Sequence, residues 1–304
     1  MNGKHLVLSS FWLKIIGFVT MTFDHVGLFL GALYANGSLG GNIAFAFRCV
    51  GRIALPIFIF LLAQALRKSK DPKKYLFRLF IMWAGFFVVG LIVFIVARFG
   101  YSVALFDDMA GSIPAHAFND LLYVGAFLYF LNHKKKAFKW LSLVPFLLMA
   151  ASYVFDVLGN YGWNDAYLYF PAFLRADYHF FALLLGIGFY YAKPLAGKMA
   201  DKALLYEEGA DADILRRRLA LENAFYLAVT LLSALIMVAL SFIDSALDTM
   251  RFSTIGSFSI VSGLLFLLYS HQLGYNRKWF RVFSYLFYPV HLIIIAVIFV
   301  LISL

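Results

Sequence analysis

The sequence predicts an all-α protein: one polytopic bundle of about nine transmembrane helices (eight to ten), with the N-terminus inside and the C-terminus outside. Three observations carry this. The 304 residues are 63% hydrophobic and only 14% charged, whereas a soluble domain carries roughly a quarter charged residues. The mean hydropathy of +0.84 agrees. The apolar residues are also gathered into runs near the roughly 20 residues needed to cross about 30 Å of hydrocarbon. Soluble enzyme folds, disordered tails and disulfide scaffolds are thereby excluded. The lone cysteine, Cys49, lies in an apolar stretch, so no intrachain disulfide is expected.

The spans follow in order. The first, 11–34, outruns a secretory signal core and has no small-residue cleavage site behind it, so it reads as a retained helix. It carries Lys14, Asp24 and His25, and the second span, 43–66, carries Arg48 and Arg52. The third, 75–97, has Arg78 near its start. The fourth, 116–132, is short and opens on His116, Asn119 and Asp120; the fifth, 140–158, closes on Asp156. The sixth, 178–196, begins beside Arg175, Asp177 and His179. Spans 223–243 and 254–270 hold no acidic or basic residue, and the eighth is again short. The ninth, 282–303, holds Pro289 and His291.

Orientation comes from the loops. With the N-terminus inside, the connections 67–74, 133–139, 197–222 and 271–281 face the cytoplasm and hold seventeen Lys and Arg, against three in the outer connections. That bias is the positive-inside pattern, and it accounts for the net charge of +10 without nucleic acid. The polar cytoplasmic loop 197–222, with Glu207, Glu208 and Arg216 to Arg218, is able to form a short surface helix. No repeat and no linker divides the chain, so residues 1–304 are expected to form a single transmembrane domain.

Charged groups inside spans cost at least about 2.5 kcal/mol each on insertion scales, and they normally face a bundle interior or a wet cavity. His25 lies fourteen residues beyond Phe11, about 21 Å along the helix. Arg48 and Arg52, Asn119 and Asp120, Asp156 and His179 all fall toward the outer ends of their spans, which predicts a polar outer vestibule. Arg48 and Arg52 are i, i+4 and share a face. Asp24 points about 100° away from His25. Pro289 frees a backbone carbonyl and bends the last span just before His291, which needs protein or water nearby. Plainer roles compete. A histidine in a span also serves as a helix-to-helix hydrogen-bonding group, and Arg48, Arg78 and Lys14 lie where their side chains can snorkel to an interface.

Four stretches, in this order, resemble the TraX family. They are Leu13-Lys14-Ile15-Ile16 leading to Asp24-His25-Val26-Gly27; Gly51-Arg52-Ile53-Ala54-Leu55-Pro56-Ile57-Phe58 preceded by Arg48; Lys74-Tyr75-Leu76-Phe77-Arg78-Leu79; and Phe287-Tyr288-Pro289-Val290-His291-Leu292. The family is related to a wider superfamily of bacterial membrane acyltransferases. The resemblance implies a multi-pass protein of the bacterial cytoplasmic (inner) membrane. It implies acyl transfer, in TraX proteins acetylation of pilin, from cytoplasmic acetyl-CoA or another acyl-CoA to a peptide or surface-glycan acceptor. His25 would be the catalytic histidine, with Arg48 and Arg52 beside it.

The residue types suit that chemistry. Neutral histidine is a competent base near pH 7, and cations stabilise an oxyanion in a dry site. His25 is therefore expected to act as general base or transient acyl carrier, oriented or tuned by Asp24 or Asp156, with Arg52 and Arg48 as oxyanion or acceptor clamp. Arg78 and Lys74 are candidates for CoA phosphates, and Asn119, Asp120, Asp156, His179 and His291 for the acceptor. No metal is expected, because the histidines lack an i, i+4 ligand spacing. Two other classes stay open: a transporter or flippase that uses the intramembrane charges as a pathway, and an assembly protein in which they only pair helices.

Overall fold

The computed structural model describes residues 7–98, 117–163, 169–170, 174–204 and 211–303. His116, Glu207, Glu208 and most of the outer connection 98–115 lie outside the described residues. The described chain is all-α, and its one extended pairing is an isolated parallel bridge between Leu8 and Tyr269. Six helices are long and apolar enough to cross a membrane, with two shorter apolar helical segments, Ala117–Leu131 and Gly256–Leu267. The chain is a multi-pass membrane protein.

The helices are α1 Ser10–Leu33, α2 Leu39–Gly51, α3 Ala54–Lys68, α4 Pro72–Arg98 and α5 Ala117–Leu131, then α6 Leu143–Asn160, α7 His179–Leu204, α8 Asp211–Ile243, α9 Val261–Leu267 and α10 Lys278–Ser303. Each expected span falls on one or more of them. Two differ from expectation in a physically informative way. The segment expected as one helix over 43–66 is broken at Arg52 and Ile53 into α2 and α3. Pro56 explains the break: it has no N–H for the Arg52 carbonyl, and its ring crowds that carbonyl. The turn closes instead through Ile53 N–H to the Val50 carbonyl at 3.3 Å. The polar segment 197–222, expected as a cytoplasmic connection able to form a short surface helix, instead carries the ends of two long helices, since α7 runs to Leu204 and α8 begins at Asp211. Its Ala, Leu, Arg and Glu residues are strong helix formers and override the polarity.

The chain gathers into two compact units. The first comprises Met1–Leu61, Tyr191–Ile236 and Arg251–Leu304; the second comprises Leu62–Tyr190 and Met237–Met250.

In the first unit, α1 and α2 pack through small residues. A Cβ added to Gly27 would meet the Ala44 carbonyl oxygen at 2.8 Å and the Arg48 nitrogen at 3.0 Å. Such close helix approach is how membrane bundles gain van der Waals contact when lipid removes the hydrophobic incentive. The α1 flank also stacks Phe18 on Phe287 of α10, with centroids 4.4 Å apart. Below α1 the backbone is stitched to the segment after α9, through Ser270 N–H to the Leu8 carbonyl (2.8 Å) and Ser10 N–H to the Gln272 carbonyl (2.9 Å). Phe60 anchors the centre, with ring centroids 4.8 Å from Tyr226, 4.6 Å from Phe266 and 5.0 Å from Tyr269. Ile293, Ile294, Val297, Ile298 and Leu301 on α10 stay exposed, as a lipid-facing surface requires.

In the second unit, Pro72 opens α4 at a position where its missing N–H costs nothing. The end of α6 is tied to the turn after α8. Tyr153 donates to the Leu247 carbonyl (3.1 Å), Asn160 to the Ala246 carbonyl (2.9 Å) and Tyr161 to the Asp244 carboxylate (2.5 Å). The Tyr161 hydroxyl holds the Asp244 carboxyl below the usual carboxylate range, with help from the Ala246 N–H.

Candidate functional site

The helical phase of α1 divides its two adjacent polar residues between different neighbours. Asp24 faces α2. Its Oδ2 accepts a hydrogen bond from Arg48 Nη1 at 3.1 Å, and its Oδ1 lies 3.8 Å from Arg52 Nε. Arg48 and Arg52 thus share a face, as their spacing predicts, and converge on one carboxylate. The group is largely withdrawn from the surface, with side-chain exposures of 13% for Asp24, 22% for Arg48 and 7% for Arg52. Gly51 makes the approach possible, because a Cβ there would overlap the Asp24 side chain and backbone. The Asp24 carboxylate offsets one of the two positive charges gathered here, where a charge with no counterion would be strongly disfavoured.

About 100° around α1, His25 faces α10. Its Nδ1 lies 2.8 Å from His291 Nε2, and His291 Nδ1 lies 2.8 Å from the Phe287 carbonyl oxygen. His291 is buried, stacked on Phe287 with centroids 4.9 Å apart and rings inclined at 15°. Tyr288 presents its ring edge-on to both histidines. Asp24, expected as one of two carboxylates that orient His25, does not sit on its Nδ1; His291 does. Asp24 turns to the arginines, and Asp156 lies in the second unit with partners of its own.

Those partners explain most of the other expected site residues. Asp156 accepts from Arg175 Nη1 at 2.6 Å and His179 Nε2 at 2.7 Å. Fully buried Asp120 accepts the backbone N–H groups of Asp177 (2.8 Å) and Tyr178 (3.1 Å). Asn119 donates to the Arg175 carbonyl, Tyr123 to the Leu174 carbonyl at 2.9 Å, and Arg175 Nε to the Phe170 carbonyl at 2.8 Å. Together they form a buried polar clasp on the segment that leads into α7. The clasp also holds His179 at a φ of 43°, a left-handed conformation unfavourable for a residue with a Cβ. The bonds made by Asp120, Asn119, Tyr123 and Arg175 Nε each satisfy a backbone group that would otherwise be buried and unpaired.

Arg78 and Lys74 both lie exposed at the start of α4, and Lys74 forms a surface ion pair with Asp71 at 3.4 Å. The cavities in this part of the second unit are lined instead by Lys73, His133, Lys134 and Lys135, with Tyr129 and Phe138. Lys14 lies over the Phe280 ring, 5.9 Å from its centroid.

One polar group escaped the sequence reading. Glu222 is almost wholly buried, with Oε2 3.4 Å from His271 Nδ1 and 3.6 Å from Lys193 Nζ. Asn223 donates to the Tyr269 carbonyl (2.9 Å), which leaves its oxygen to accept from His271 Nε2 (2.9 Å). His271 has a φ of 59°. Glu222 stands in a charge-rich stretch that reads as a solvated loop, and its partners are distant in sequence, so no local pattern marks it.

Among the described residues no group of three or more His, Cys, Asp and Glu side chains is arranged to hold a metal ion. No curated protein and no solved structure matches the chain. The family described as TraX protein matches residues 9–200, well over half of the sequence, and that stretch contains Asp24, His25, Arg48, Arg52 and the clasp of the second unit. The chain belongs to the TraX family.

Proposed function

We propose that this protein is a membrane acyltransferase that moves an acyl group, most simply acetyl, from cytoplasmic acyl-CoA to an amine or hydroxyl reached from the extracytoplasmic side. The observation that carries the reading is the withdrawn polar centre of the first unit. There an imidazole, His25, follows directly on Asp24, the carboxylate that holds Arg48 and Arg52. Acyl transfer from a thioester needs both kinds of group. His25 takes the proton of the acceptor N–H or O–H as the acceptor attacks the thioester carbonyl. Arg48 and Arg52 are the cations available to stabilise the tetrahedral oxyanion or hold the acceptor, and a dry setting strengthens that effect. The CoA thiolate then leaves and is reprotonated. An acyl-imidazole on His25 is the two-step variant of the same chemistry.

The reading places the protein in the bacterial cytoplasmic membrane with its N-terminus inside. The phosphates of CoA would then meet the basic inner mouth, with Lys74 in the connection 67–74 and Arg78 at the start of the next span as candidates. A pilin-like peptide or a surface glycan supplies the acceptor class. The test is transfer of radiolabelled acetyl from acetyl-CoA by purified protein. Wild type is expected to label or hydrolyse, and His25→Ala to lose about 10² to 10⁴ in rate; equal rates would remove His25 from the chemistry.

One observation favours a different class. The break at Arg52 makes the second span discontinuous, and discontinuous spans line substrate and ion sites in many transporters. Net movement of labelled substrate into proteoliposomes without acyl-CoA would support that reading over acyl transfer.

A further inference from the structure

The hydrogen bonds around His291 can be written in only one direction at their anchored end. The Phe287 carbonyl has no proton to give, so His291 Nδ1, 2.8 Å away, carries the hydrogen. In a neutral imidazole the other nitrogen then holds the lone pair. That nitrogen, Nε2, lies 2.8 Å from His25 Nδ1, so His25 Nδ1 is the donor. Neutral His25 therefore carries its own lone pair on Nε2. The carbonyl at one end of the chain fixes the tautomer of the imidazole at the other.

The seat of His291 is built to keep this direction. Phe287 stacks on the ring, Tyr288 packs its edge against it, and the residue is only 7% exposed. Phe287 and His291 are four residues apart on α10, so the side-chain bond spans one helical turn. Pro289 lies between them and already loosens the backbone ladder there by withholding a donor from the Tyr285 carbonyl.

We infer that His291 is a positioning residue for acyl transfer: it accepts the Nδ1–H of His25 and so presents His25 Nε2 as the reacting nitrogen. This rests on the acyl-transfer reading of His25 and gives His291 a role other than contact with the acceptor. In the step, the acceptor N–H or O–H bond breaks and its proton passes to His25 Nε2. The resulting imidazolium keeps its Nδ1–H directed at the His291 lone pair, which stabilises the positive charge. The acceptor heteroatom bonds to the acyl carbon, the C–S bond breaks, and the thiolate takes the proton back from Nε2. An intramembrane imidazolium would otherwise face a steep desolvation cost.

The test uses the full chain, labelled with ¹⁵N-histidine, in lipid nanodiscs. The His25 resonances are assigned by their loss in His25→Asn. At neutral pH, His25 is expected to show a protonated Nδ1 and a bare Nε2, the opposite of the tautomer that histidine prefers in water. In His291→Phe it is expected to revert to the Nε2–H form. A wild-type His25 already protonated on Nε2 overturns the inference, whatever the activity. Rates supply the second arm. His291→Gln keeps an acceptor within reach and is expected to stay within about tenfold of wild type, whereas His291→Phe is expected to fall about 10²-fold or more. If His291→Phe transfers as fast as wild type while His25→Ala does not, His291 does not position the base and the function of His25 stands. If no variant and no wild-type protein transfers acyl groups, the acyltransferase reading fails, and the tautomer measurement still decides the direction of the bond.

Discussion

Gly51 of α2 lies against Asp24 of α1 so closely that even a methyl group at position 51 would overlap the Asp24 Cβ. The contact sets the distance at which the Asp24 carboxylate meets Arg48 and Arg52. Overpacking a fitted contact typically costs about 1 to 3 kcal/mol. Gly51→Ala is therefore expected to lower the melting temperature in detergent. It should also separate Asp24 from the arginines more effectively than Gly31→Ala on the same helix pair, because a Cβ at Gly31 meets its neighbour only at 3.9 Å. Thermal unfolding of the two variants side by side checks this, and equal melting temperatures would show that the helices accommodate the methyl group without cost.

Asp24 serves two guanidiniums, and its loss removes this one carboxylate from both. Removing one partner of a buried pair costs about 3 to 5 kcal/mol. Arg48 is more exposed than Arg52 and is screened accordingly. Asp24→Asn is expected to be the most destabilising of the three single changes, Arg52→Gln intermediate and Arg48→Gln mildest. Unfolding in SDS titrations gives the order directly. Arg48→Gln proving the most harmful of the three would mean that Asp24 is not the hub of the group.

The helices were legible because their signal is local. Each apolar run is long relative to a helical turn, and every expected span falls on helical residues. The pairings were not legible to the same degree. Phase alone turned Asp24 away from His25 and put Arg48 with Arg52, and both hold. The partner of His25 sits on α10, beyond anything a helix wheel reports. The Asp156 partners, Arg175 and His179, come together only when the segment before α7 folds back, which no helix pattern reports. The break after Arg52 was written in Pro56. That residue reads as ordinary in an apolar run until its missing N–H is traced four residues back to the carbonyl it leaves unbonded.

Asp120 spends its carboxylate on the backbone of the chain entering α7, so its role is expected to be local order. Asp120→Asn keeps one acceptor oxygen for the Asp177 and Tyr178 N–H groups, while Asp120→Leu keeps none. Hydrogen exchange at 176–180 is expected to rise modestly in the first variant and by about a hundredfold in the second, consistent with a buried group losing its partner at about 1 to 3 kcal/mol. Exchange that rises equally across α4 and α5 would point to global destabilisation and away from a clasp.

The proposed orientation has a convenient probe, because Cys49 is the sole cysteine and is buried. In a Cys49→Ser background, a cysteine introduced at Lys135, in a connection rich in lysine, is expected to react with a membrane-impermeant maleimide only after the cells are opened. One introduced at Ser245, in the turn tied to the end of α6, is expected to react in intact cells. Basic connections are retained on the cytoplasmic side, and α6 runs from the lysine-rich turn at 136–139 to that second turn within one crossing. Reversed labelling would invert the chain in the membrane, put the basic connections outside, and remove the cytoplasmic acyl-CoA from their reach.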